Sequence, residues 1–178
     1  VTLGAQTTGS TINLGVGSDK LILGNFVNTV TVSNVETIVG GSSSDTVTLG
    51  AAATLGTISL GGGADRLILA AGGATVTVAD VETITGGAGV DLVTLSTQAT
   101  GTAIDLGGGA DKLTLGAFDN TLTVSNVETL VASASADSIT YATILSGSVD
   151  LGGGNDTLTL GAFLNTATVS NVETIVGG

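Results

Sequence analysis

Cysteine, histidine, tryptophan, methionine and proline are all absent from this 178-residue chain, and one Tyr and three Phe make up its aromatic content. Basic residues number only three, Lys20, Arg66 and Lys112, against fifteen acids, for a net charge of −12. With no basic patch, nucleic acid is not expected as a partner, and adsorption to an anionic membrane surface is disfavoured. No apolar run approaches the ~18 residues of a spanning helix, so membrane insertion is not expected. No stretch places apolar residues at i, i+3, i+4 and i+7, so helices are not expected. The lack of Cys suits an extracellular protein stabilised by something other than disulfides, although many cytosolic domains share it.

The chain is rich in Gly (29 residues), and Val, Ile, Leu and Ala supply nearly all of its 42% apolar content. That is too apolar for a disordered segment. Thr is abundant, and β-branched residues in short alternating runs favour strands.

One period organises these residues. Val-Glu-Thr recurs with its glutamate at Glu36, Glu82, Glu128 and Glu173, spaced 46, 46 and 45 residues apart. Leu-Gly-x-Gly-x-Asp recurs with Asp19, Asp65, Asp111 and Asp156 at the same intervals, and Asp45, Asp91 and Asp137 form a third series. Self-similarity at this period indicates stacked architecture. The repeats run 1–45, 46–91, 92–137 and 138–178, and the unfinished ends suggest an excerpt of a longer array that could self-associate end to end.

Successive aspartates lie 26, 20, 26, 20, 26 and 19 residues apart. Alternating runs follow each one, for example Thr46-Val47-Thr48-Leu49 and Arg66-Leu67-Ile68-Leu69. Alternation puts one face inward and one outward. Strands of four or five residues, separated by Gly, Ser, Asn and Asp, predict a right-handed parallel β-solenoid of about eight rungs, two per repeat. Leu21, Val47, Leu67, Val93, Leu113, Ile139 and Leu158 then form one core column. Phe26, Phe118 and Phe163 share one repeat position as corner filling, with Gly72 in the second repeat leaving a gap.

Gly86-Gly87-Ala88-Gly89-Val90-Asp91-Leu92-Val93-Thr94 matches the nonapeptide G-G-x-G-x-D-x-U-x in full. Leu60–Asp65, Leu106–Asp111, Leu151–Asp156 and Leu14–Asp19 depart from its turn mainly in having Leu for the first Gly. Gly40–Asp45 has lost its fourth-position Gly and Ala132–Asp137 has none. On these residues the chain resembles the RTX family of haemolysin-type calcium-binding repeats, of the kind carried by bacterial surface-layer proteins and giant adhesins. The resemblance implies that stacked turns share calcium ions between them, and that export runs through a one-step channel with folding outside the cell.

The chemistry suits calcium independently, because this cation takes six to eight hard oxygen ligands in irregular geometry. Carboxylates ~4.8 Å apart repel by roughly 1 kcal/mol per pair even in water, so a positive partner is expected. The candidate ligands are Asp65, Asp91, Asp111, Asp156, Asp19, Asp45 and Asp137, with the turn glycines Gly61, Gly63, Gly87, Gly89, Gly107, Gly109, Gly152, Gly154, Gly15 and Gly17. With one motif per rung, a single row of ions along one corner is expected. The competing reading is metal-free Asx turns. Glu36, Glu82, Glu128 and Glu173 are read as solvated or paired with Lys or Arg. Asn34, Asp80, Asn126 and Asn171, two positions earlier, suit turns.

These features favour a non-catalytic, secreted structural or adhesive module at a bacterial cell surface, stiffened by calcium. One alternative is a binding surface for glycan or ice, built on the threonines at Thr29, Thr31, Thr75, Thr77, Thr121, Thr123, Thr166 and Thr168, with cell-surface glycan as a partner. Another is the secretion tail of an exported enzyme. Catalysis within the chain is not expected, because it offers no unique cluster and no long loop to wall a cleft.

Overall fold

The computed structural model describes residues 1–54 and 56–178. Nineteen short strands follow one another: β1 (Thr8–Asn13), β2 (Lys20–Ile22), β3 (Thr29–Ser33), β4 (Thr37–Gly41), β5 (Thr46–Leu49), β6 (Thr54–Gly61), β7 (Arg66–Ile68), β8 (Thr75–Ala79), β9 (Thr83–Thr85) and β10 (Leu92–Leu95). The series continues with β11 (Thr100–Asp105), β12 (Lys112–Thr114), β13 (Thr121–Ser125), β14 (Thr129–Val131), β15 (Ser138–Tyr141), β16 (Ser146–Asp150), β17 (Thr157–Leu160), β18 (Thr166–Ser170) and β19 (Thr174–Val176). Odd-numbered strands stack into one ten-stranded sheet and even-numbered strands into a nine-stranded one. Every pairing is parallel. The chain is the all-β parallel solenoid that its periodicity predicts.

The pitch is finer than the aspartate spacing suggested. A 46-residue unit contains five strands shared between two sheets, and so spans two and a half coils. Val47 pairs with Leu67 within the odd sheet, whereas their repeat-mates Val93 and Leu113 pair in the even sheet. Because five is odd, consecutive repeats sit on opposite sides of the rod, related by a half-turn and a rise. The single core column of Leu21, Val47, Leu67, Val93, Leu113, Ile139 and Leu158 is therefore split. Leu21, Val93 and Leu113 line the even sheet, and the other four line the odd one. All seven are fully buried nonetheless, since inward alternation is a property of each strand alone.

The core is aliphatic between the two sheets. Tyr141 is a polar intruder in it, standing where Leu49 and Leu95 stand in neighbouring units, and its hydroxyl donates to the Val127 carbonyl at 3.4 Å. Phe26, Phe118 and Phe163 do not fill the corners. They lie outside them, 39–48% exposed, each ring close over the glycine two residues earlier. Gly72 consequently leaves no internal gap, and its nearest side-chain neighbour is Ala52.

Candidate functional site: carboxylate ladders on two edges

Five kinds of turn connect the five strands of each unit, and stacking sorts them onto the two edges of the rod. On the edge leading into the odd sheet, Asn28, Asp45, Asp65 and Glu82 follow one another coil by coil. Each side chain accepts the backbone N–H of its predecessor: Asn28 N–H to Asp45 Oδ1 at 2.9 Å, Asp45 N–H to Asp65 Oδ1 at 2.6 Å, and Asp65 N–H to Glu82 Oε2 at 2.7 Å. Further along the same edge, Asn120, Asp137, Asp156 and Glu173 repeat the pattern at 2.9, 2.7 and 2.8 Å. The opposite edge carries Ala74, Asp91, Asp111 and Glu128, joined from Asp91 to Asp111 at 2.7 Å and from Asp111 to Glu128 at 2.9 Å. It also carries Asp19, whose N–H reaches Glu36 Oε2 at 2.7 Å.

The expected single row along one corner is therefore corrected to ladders alternating between two edges. Asp45 and Asp65 share one edge, Asp91 and Asp111 the other, and Asp137 and Asp156 return to the first. Each ladder ends at its glutamate because the sheets step sideways there. Ala103 of β11 pairs with Thr83, but β11 begins three residues earlier, at Thr100 against Thr121, with an irregularity between Thr100 and Thr102. The next ladder starts from that displaced position.

The glutamates are corrected as well. Glu36, Glu82 and Glu128 are half-buried and Glu173 is exposed. All four have a backbone N–H as partner, so they are the last rungs of the ladders. The signal for this was present in the sequence, since each Glu lies 17 residues after an Asp, the same step as from Asn28 to Asp45. Asn34, Asp80, Asn126 and Asn171 do form turns, all left-handed, at φ 52–54°. Asn and Asp tolerate that conformation better than other residues with a Cβ.

Burial gives the ladders their electrostatic character. Asp45, Asp65, Asp91, Asp111, Asp137 and Asp156 are at most 2% exposed. In all seven motif aspartates one carboxylate oxygen is buried without any hydrogen-bond partner. Burial is the main cause that pushes the Asp65 carboxyl up to about 6, opposed by the Asp45 N–H and reinforced by Glu82 and Asp45. Burial likewise raises Asp91, Asp111 and Asp137, in each case against hydrogen bonds that lower them. An unsatisfied buried polar group costs about 1–3 kcal/mol, and more when charged. Seven of them rival a domain's whole net stability of roughly 5–15 kcal/mol. An ionised ladder needs a counter-charge, or else must take up protons.

The three cations do not supply it within the turns. Lys20, Arg66 and Lys112 open β2, β7 and β12 as exposed residues on the outward face.

The residues fit a hard cation by the chemistry of their donors. Each aspartate offers a buried free oxygen beside a turn walled by backbone. Among the described residues no three acidic side chains converge on one point. A calcium shell here would accordingly draw on backbone carbonyls of the glycine turns beside the aspartates. Those turns stack too closely for side chains. Gly107 has φ +83° and a methyl group there would overlap the Gly87 carbonyl oxygen; at Gly109, φ +144°, it would lie 2.8 Å from Asp111 Oδ1.

The threonines read as a possible ladder are outward and unburied, but they are distributed over both sheets. Thr29, Thr31, Thr121 and Thr123 lie on the odd sheet and Thr75, Thr77, Thr166 and Thr168 on the even one. No protein-family model matches the chain, and no curated protein or solved structure matches it.

Proposed function

We propose that this chain is a non-catalytic structural rod, a segment of a secreted bacterial surface protein, surface layer, adhesin or fibre, whose stiffness depends on calcium. The observation carrying this reading is the set of seven aspartate oxygens, buried, unpartnered and placed at stacked turns on both edges of the solenoid. A repeat protein of this kind gains stability from neighbour contacts between coils, so a defect in one turn loosens the rungs beside it. Cations at the turns tie each coil to the next and convert binding free energy into folding free energy. Where calcium is scarce the ionised chain stays open, and where calcium is plentiful it folds, which suits assembly outside the cell.

Circular dichroism at neutral pH in excess chelator, followed by calcium addition, tests the reading. Loss of strand signal with chelator and its return with calcium are expected. A strand signal indifferent to both removes calcium from the account.

A further inference from the structure

The ladders follow one plan but begin with different residues. Asn28 Nδ2 donates to Asp45 Oδ1 at 2.9 Å, and Asn120 Nδ2 donates to Asp137 Oδ1 at 2.8 Å. Both amides are buried, and each acts beside a backbone N–H bonded to the same oxygen. The corresponding residue of the middle ladder is Ala74, which offers Asp91 its backbone N–H but no side-chain amide. Asp91 is 0% exposed there. It accepts a long 3.3 Å bond from the Gly87 N–H on Oδ2, and its Oδ1 has no partner; Asp45 Oδ2 and Asp137 Oδ2 have none either, so the difference between the ladders is the side-chain amide on the other oxygen. One coil on, Asp111 Oδ2 is buried and unpartnered too.

Neighbouring positions differ in the same sense. Ser44 accepts the Ala64 N–H at 2.9 Å in the first of these ladders, and Asp119 accepts the Ala136 N–H at 3.1 Å in the last. Val90 and Gly73 occupy the equivalent places in the middle ladder, and neither has a polar side chain. A methyl group on Gly86 would lie 2.7 Å from Asp91 Oδ2. The backbone at Gly86 and Gly109 lies close against the Asp91–Asp111 pair.

We infer that the Asn28 and Asn120 amides do for Asp45 and Asp137 what a calcium ion does for Asp91, so that the chain's tight cation site is the Asp91–Asp111 pair and residue 74 decides it. This rests on the calcium reading above and narrows it from seven aspartates to one pair. An amide N–H and a cation compete for the same carboxylate, and the neutral donor is already in place wherever Asn stands at the head of the ladder. Where Ala stands there, the carboxylate keeps its need for positive charge, and the glycine turns leave carbonyl oxygens next to it. The only complete nonapeptide of the chain, Gly86–Thr94, falls in the ladder that lacks the amide.

Calcium titration of the full chain by calorimetry, with terbium luminescence as a second reading and circular dichroism as the fold control, tests the inference. One tight ion per chain is expected. Ala74→Asn weakens that site by roughly tenfold or more and retains more strand signal in chelator than the unaltered chain, since the new amide replaces the ion. Asn120→Ala adds a second site and raises the calcium concentration needed to restore the strand signal. Should Ala74→Asn not fold, Asp91→Asn against Asp45→Asn carries the test: the first abolishes the tight site and the second leaves it. Several equivalent tight sites in the unaltered chain, or equal losses in those two variants, overturn the inference while calcium dependence survives. No calcium binding, with a fold indifferent to chelator, overturns the calcium reading itself.

Discussion

The glycine–aspartate turns and the Val-Glu corners share both edges of the rod, yet they solve opposite problems. A turn such as Leu106–Asp111 is long and built on glycine, because its backbone lies directly on the turn of the adjacent coil. A corner such as Asn126-Val127-Glu128 spends three residues between β13 and β14, reverses through one left-handed asparagine and buries a valine. The turn leaves carboxylate oxygens without partners; the corner spends its carboxylate on a backbone N–H and ends the ladder. Unpartnered carboxylate oxygens therefore sit where side chains are excluded, and structural closure sits where one long side chain reaches back.

Substitutions that ask each element to behave like the other measure this contrast. The largest effect is expected for Gly107→Ala, which combines positive φ with overlap on the Gly87 carbonyl; a loss of about 3 kcal/mol or more in denaturant unfolding is expected. Next comes the pH response in chelator. Folding raises the Asp65 pKa to about 6 and raises those of Asp91, Asp111 and Asp137. A carboxyl with a folded pKa above its unfolded one favours the fold while protonated. The metal-free stability these groups contribute is then fully present below about pH 4 and is lost as pH climbs through 6, which thermal melts at a series of pH values will show. Saturating calcium reverses the slope, because the ion binds the ionised form.

Glu128→Ala is expected to cost about 1–3 kcal/mol by orphaning the Asp111 N–H, whereas Glu128→Gln keeps an acceptor and loses less. Equal losses would mean that the charge, not the hydrogen bond, closes the ladder. The smallest effect is expected for Asn126→Gly, within about 0.5 kcal/mol in the same assay, since glycine accepts the left-handed corner. That substitution also removes the 2.7 Å bond from Asn126 Nδ2 to Asp105, an exposed contact that contributes little.

Much of the solenoid is readable from local pattern. Leu67 and Val47 announce themselves as inward residues by alternation, and Asp65 announces its turn through the glycines before it. The stacking partners are not local. Asp45 and Asp91 occupy one repeat position, and nothing in either flanking sequence says that they face opposite ways. Glu82 looked like a solvated charge because its partner, the Asp65 N–H, is 17 residues away and carries no side-chain signature. The role of Ala74 is visible only against Asn28 and Asn120, once both ladders are known.

The sequence by itself determined an all-β, parallel, repeating rod with carboxylates in glycine-rich turns, because strand alternation and turn chemistry act over a few residues. Only the tertiary structure decided which carboxylates are neighbours. Five strands per unit turn each repeat half-way round the axis, and that odd count emerges from how coils close on one another, through pairings that no short window contains.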